Sequence, residues 1–233
     1  MHSHDRDAGV ERAAHQLLSS SERTPTPPDP MTTIDSRALP ATHVLAVCGS
    51  LRSRSYNRGM LIAAVECAPP GMAIDLFDTL AAVPSFNEDL EQATGGGPEA
   101  VRRLRERVAH ADGLLIATPE YNQSMPGVLK NAIDWLSRPG PEEVLVGKPV
   151  AVIGASGGPW GTRLAQSMLR QALYATGSPV LPKPALFVRE AAGLFDDAGR
   201  LVHPRTRELL RALLAAFGQW IALLSPEGHR AER

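Results

Sequence analysis

The sequence predicts an α/β fold, a doubly wound parallel sheet of five strands with helices on both faces, and three observations carry that prediction. Strand-like and helix-like segments alternate from residue 44 to residue 224. Several strand segments, such as Val-Leu-Ala-Val at 44–47 and Val-Ala-Val-Ile at 150–153, are unbroken apolar runs, as expected where both faces of a sheet are covered. Five such units fit within residues 41–225, the size of one doubly wound domain.

The first strand, 44–47, runs into Gly49-Ser50 and an Arg/Ser loop. A helix follows from Asn57, expected to act as its cap, to Cys67, where Pro69-Pro70-Gly71 stops it. Residues 73–77 alternate Ala-Ile-Asp-Leu-Phe as a half-buried strand does. A polar stretch at 87–94 and the Gly95-Gly96-Gly97 turn lead to an amphipathic helix at 98–110. Val101, Leu104 and Val108 share one face of it, while Arg102, Arg103, Arg105 and Arg107 are expected on a solvated face or at a subunit contact. A buried-type strand at 113–118 precedes a helix at 126–136, with proline tolerated in its first turn. A continuous apolar strand at 149–153 and a helix at 162–175 form the next unit. A last strand at 180–188 is interrupted by prolines. The final helix, 204–224, repeats Leu210, Leu213, Leu214, Phe217, Ile221 and Leu224 at helical spacing.

Composition excludes several classes of function. The chain of 233 residues carries 24 basic and 25 acidic side chains, which leaves no electrostatic footprint for nucleic acid or an anionic membrane. No apolar run approaches the roughly 18 residues of a membrane helix. Its two cysteines, Cys48 and Cys67, lie outside any Cys-x-x-Cys, so neither a disulfide framework nor a cysteine zinc site is expected, and the natural compartment is the cytoplasm. Residues 1–40, rich in Ser, Thr, Pro and charge, read as a disordered tail in which Met31 offers a second start and His2 and His4 are solvated rather than metal-bound. Residues 226–233 read as a flexible C-terminus.

In a doubly wound sheet, ligands bind at the carboxyl ends of the strands. The loop after the first strand, Gly49-Ser50-Leu51-Arg52-Ser53-Arg54-Ser55-Tyr56-Asn57, sets three serine hydroxyls and two guanidiniums beside the free amides of a helix N-terminus, the chemistry of an anion site. It lacks the Gly-Lys-Ser/Thr ending of a Walker loop. After the third strand, Thr118-Pro119-Glu120-Tyr121-Asn122-Gln123-Ser124-Met125-Pro126-Gly127 holds an aromatic and several amides between two prolines, a surface suited to a flat heteroaromatic ring. The fourth strand ends in Gly154-Ala155-Ser156-Gly157-Gly158-Pro159-Trp160-Gly161, where small residues allow close approach to the backbone.

These three segments, with the run from Pro119 to Trp135 the most specific, resemble the NADPH-dependent FMN reductase family across residues 43–190. The resemblance implies a flavodoxin-like three-layer sandwich of strand order 2-1-3-4-5. It implies FMN as cofactor, NAD(P)H as cosubstrate, and a quinone or other small molecule as acceptor, in a homodimer or homotetramer. Carried over by position, it implies that Ser50, Arg52, Ser55, Tyr56 and Asn57 hold the FMN phosphate. Pro119, Glu120, Tyr121, Asn122 and Ser124 would border the ribityl chain and ring, with Ser156 and Gly157 at the far edge. Glu120 has an alternative role, bonding backbone N–H groups to fix its loop. Ile133 and Trp135 are expected to pack against the sheet, and Asp134 to cap or pair on its helix. No protein side chain is expected to be catalytic, since FMN carries the chemistry.

Two motifs compete with this reading. Gly154-Ala155-Ser156-Gly157-Gly158 satisfies Gly-x-Ser-x-Gly, with Asp196 or Asp197 and then His203 following in hydrolase order. The acid and histidine lie too close in sequence, and the 119–135 segment stays unexplained. Gly95-Gly96-Gly97-Pro98-Glu99-Ala100 formally matches a dinucleotide fingerprint but follows no strand, so it reads as a helix-entry turn. A non-catalytic flavodoxin-like electron carrier or redox sensor is the remaining alternative.

Overall fold

A strand that is apolar at every position buries both of its faces, because successive side chains point to opposite sides. In the computed structural model, which describes residues 42–139 and 143–225, this holds for residues 44–47 of β1 (Thr42–Cys48). Val44 and Ala46 enter one core, and Leu45 and Val47 enter the other. With β2 (Met72–Phe77), β3 (Gly113–Ala117), β4 (Val150–Ala155) and β5 (Leu186–Val188) it forms one parallel sheet in the order β2-β1-β3-β4-β5. β3 and β4 are buried at every position. The register pairs Val44 with Gly113 and Leu114 with Val150, so the carboxyl ends of β1, β3 and β4 finish side by side.

Helices α1 (Tyr56–Glu66) and α6 (Pro204–Leu224) cover the first face through Met60, Leu61, Leu210, Leu214 and Phe217. Helices α3 (Glu99–His110), α4 (Gly127–Leu136) and α5 (Arg163–Ala175) cover the second through Val101, Leu104, Leu129, Trp135 and Leu169. The three-layer sandwich and its strand order agree with the expectation. Ile133 and Trp135 are buried as expected, and Asp134 pairs with Lys130 at 2.6 Å.

Four local expectations need correction. Ser55, not Asn57, caps α1, its Oγ accepting from the Arg58 N–H, because the Asn57 amide is held elsewhere. The last strand spans three residues; Val180 makes only a bridge to Val150, since Pro179, Pro182 and Pro184 supply no ladder donors. The polar stretch after β2 contains a helix, α2 (Glu88–Ala93), capped by Asn87 and acidic through its first turn. Arg105 is 5% exposed rather than solvated. Its guanidinium donates to the carbonyls of Trp135 and Gly96 and pairs with Glu91 at 3.1 Å. The Gly95-Gly96-Gly97 turn it grips has positive φ throughout and serves as the entry to α3. The expectations for residues 1–40, including Met31, His2 and His4, and for residues 226–233 lie outside the described residues.

Candidate flavin site

The order of strands reverses between β1 and β3, the position at which doubly wound sheets bind ligands. The loop after β1 is pinned to β3 by Gly49 N–H donating to Ala117 O at 2.8 Å. Beyond it the N–H groups of Leu51, Ser53, Arg54, Tyr56 and Asn57 find no acceptor among the described residues. Ser50 and Ser55 are buried in this loop, and Arg52 is exposed with no carboxylate partner among the described residues. Unsatisfied donors at a helix N-terminus, with a guanidinium on the same loop, fit a phosphate dianion.

Two members of the set play supporting parts. Asn57 is 3% exposed, and its Nδ2 donates to Ala155 O while its Oδ1 accepts from Ala155 N, both at 2.9 Å. That paired bond ties the start of α1 to the end of β4, so its side chain positions the loop. The Tyr56 ring lies 5.1 Å from the Phe195 ring, and Arg54 donates to Asp197 O at 3.2 Å. The segment after β5 thus backs the phosphate loop, a contact across more than 130 residues that no motif signals.

Beneath the loop, Cys48 Sγ donates to Ser50 O at 3.4 Å. Burial pushes this thiol above its ordinary range, outweighing the bonds from its neighbours.

The loop after β3 forms a two-residue turn. Tyr121 and Ser124 exchange both backbone bonds, at 2.9 and 3.0 Å, and Asn122 and Gln123 take positive φ of 50° and 64°. This is the twist of a primed turn, which holds Tyr121, Asn122 and Gln123 out to solvent on a stiff support. Pro119 is buried at its root. Glu120 fastens its loop to the next helix: its Oε2 accepts from the N–H groups of Leu164 and Ala165 at 2.9 and 3.0 Å, capping α5.

The Gly-rich segment after β4 passes close to both other loops. A Cβ on Gly154 would fall 2.0 Å from Thr162 Oγ1 and 2.5 Å from Thr118 O, whereas one on Gly157 would meet open space. Ser156 Oγ accepts from Gly158 N at 3.0 Å, shaping its own turn. The hydrolase constellation is absent: His203 caps α6 through Thr206, and Asp196 pairs with Arg200, so neither reaches Ser156. No group of metal-binding side chains occurs among the described residues.

The family model described as NADPH-dependent FMN reductase matches residues 42–193. The chain belongs to that family. It is 49% identical, over 78% of its length and 96% of the relative's, to an NAD(P)H-dependent FMN reductase of Pseudomonas aeruginosa. It is 38% identical, over 78% of its length and 97% of the relative's, to a 2-hydroxy-1,4-benzoquinone reductase of a Burkholderia species. A solved structure of the flavoenzyme NAD(P)H:(acceptor) oxidoreductase from Paracoccus denitrificans superposes with a TM-score of 0.70 at 35% identity, covering 77% of this chain and 97% of that one. Within the FMN reductase family, the loops after β1, β3 and β4 are the segments that carried the resemblance.

Proposed function

We propose that this chain is an FMN-dependent NAD(P)H oxidoreductase acting on quinones or similar small acceptors. The observation that carries the proposal is the set of unsatisfied amides of Leu51, Ser53, Arg54, Tyr56 and Asn57, whose donor chemistry fits the FMN phosphate. Ser50, Arg52 and Ser55 add hydroxyls and a positive charge to that set, and the Tyr56 ring walls it. The turn carrying Tyr121, Asn122 and Ser124, with Pro119 at its root, offers a flat face for the isoalloxazine ring. The segment at Ser156 and Gly157 borders its far edge, where the absence of a Cβ on Gly157 leaves room for close approach.

When bound, FMN supplies the hydride chemistry between nicotinamide and acceptor. The chain's own part is to bind, orient and leave one face open. No side chain need transfer a proton, which agrees with the local commitments of Ser156 and His203. The family relationship favours catalysis over an electron carrier that does not oxidise NAD(P)H.

The reading extends to assembly and compartment. Large apolar side chains are exposed on the loop after β3 (Tyr121), on the segment after β4 (Trp160, 67% exposed) and on α5 (Leu164 and Met168), and they support a homodimer or homotetramer with the flavin near the boundary. Light scattering on the eluting peak should give a multiple of the chain mass, and a strict monomer overturns that part. Two free cysteines and no described helix long and apolar enough to cross a membrane are compatible with the cytoplasm.

The deciding experiment is titration of flavin-stripped protein with FMN, followed by anaerobic NAD(P)H oxidation with a benzoquinone. FMN binding with quinone-dependent turnover supports the proposal. FMN binding without turnover supports the carrier, and absence of both refutes flavin function.

A further inference from the structure

We infer that Glu120 is a positioning residue for the flavin ring, acting through the helix that follows the opposite loop; this rests on the FMN reading above. The turn from Tyr121 to Ser124 is bonded to itself, and its tip residues are exposed. Among the described residues, the hydrogen bonds that carry residues 119–124 to another loop or helix are the two that Glu120 accepts from Leu164 and Ala165. Those amides open α5, and α5 begins where the Gly-rich segment after β4 ends. One carboxylate oxygen therefore sets the spacing between the two loops proposed to hold the ring.

The chemistry of the tie is strong for its size. The first amides of a helix have no partner within it, and the adjoining peptide dipoles favour a negative charge at that end. Thr162, which precedes α5, makes no side-chain cap, because it is buried with its Oγ1 accepting from Gln166 Nε2 at 3.1 Å. The capping that a helix usually draws from its own sequence is supplied here from 44 residues away. A cap taken from another loop fastens that loop as well as the helix.

The tie meets a second one on the same segment. Asn57 grips Ala155 at the end of β4, so the loop after β4 is held by a side chain from each of its neighbours. The Asn57 grip orders the phosphate side and the Glu120 grip the ring side. Removing Glu120 should therefore weaken what the ring contributes and leave the phosphate contribution intact.

The test uses flavin-stripped full-length protein as wild type, Glu120→Gln and Glu120→Ala, with dissociation constants for FMN and for riboflavin, which lacks the phosphate. Loss of two hydrogen bonds that a charged acceptor makes should weaken both flavins at least about tenfold in Glu120→Ala, with their affinity ratio unchanged. The Gln variant, whose Oε1 can accept the same two bonds, should stay within about threefold of wild type and restore the resolved absorption band of ring-bound flavin. If the Ala variant does not fold, Glu120→Asp, too short to reach α5, replaces it with the same expectation. Affinities equal to wild type in the truncated variant overturn the inference alone. So does a loss in the Ala variant that is confined to FMN and spares riboflavin, which would mean that the carboxylate acts on the phosphate side. A wild-type protein that binds neither flavin overturns the cofactor reading and this inference together.

Discussion

Asn57 shows how one side chain that reads as a helix cap can be held by a distant strand instead. It stands at the end of the Arg/Ser loop proposed to hold a phosphate, and both ends of its amide are spent on Ala155, 98 residues away. Replacing it with Ala strands a buried N–H and a buried carbonyl, so unfolding in urea should show a loss of about 2–4 kcal/mol. Arg105 makes the same point for charge. A helix wheel puts it among solvated arginines, but Glu91, Gly96 and Trp135 line up to receive it. Lys at this position keeps the charge without the fork that reaches three acceptors, and Arg105→Lys should cost about 1–3 kcal/mol on the same measurement. Cys48 is legible as a thiol at the end of β1 but not as one held under the phosphate loop. Because burial raises its pKa, the reactive thiolate appears only at higher pH than in an open cysteine. Alkylation by iodoacetamide should therefore be slow at neutral pH and climb later in a pH series than that of a short peptide thiol.

The elements themselves were legible because their signals are local. Unbroken apolar runs gave β3 and β4, and apolar spacing gave α3 and α6 to within a residue or so. What escaped was set by tertiary partners or by short range. The six residues of α2 leave too few turns for apolar periodicity, though Asn87 before Glu88, Asp89 and Glu91 is a cap signal that could have revealed the helix. The identity of the α1 cap could not be read, since Ser55 and Asn57 are both good capping residues and only the pull of β4 separates them. The turn after β3 is the element most open to a stability test. It places two side-chain-bearing residues at positive φ, a conformation that Asn tolerates and Gln does not favour. Gln123→Gly removes that strain at an exposed tip without touching the backbone bonds between Tyr121 and Ser124. The expected outcome is a gain of about 0.5–1 kcal/mol, with FMN affinity held within about twofold. A loss of stability instead would show that the Gln123 side chain makes contacts that matter more than its backbone conformation.

At the scale of the whole molecule, the three loops of the site are one unit rather than three, because the side chains that fix them cross between them. Gly49 is bonded to the end of β3, Asn57 to the end of β4, and Glu120 to the start of α5, while Phe195 and Asp197 support the first loop from behind. A ligand that seats on such a unit gains from preorganisation, and its binding energy is delivered to the global fold rather than to one loop. Binding only to the folded state stabilises it by about 2.7 kcal/mol when the ligand is at a hundred times its dissociation constant. For a domain of this size each kcal/mol moves the midpoint by about 2–4 °C, so saturating FMN should raise the Tm of flavin-stripped protein by about 5–10 °C. Riboflavin at the same concentration lacks the group that the unsatisfied amides of the loop after β1 are proposed to receive, and should raise it by clearly less. Equal shifts for the two flavins in differential scanning fluorimetry would mean that the cradle after β1 holds no phosphate. A shift for FMN that disappears in Arg52→Ala but survives in Arg103→Ala, a change on exposed α3, would fix the charge that matters to that one loop.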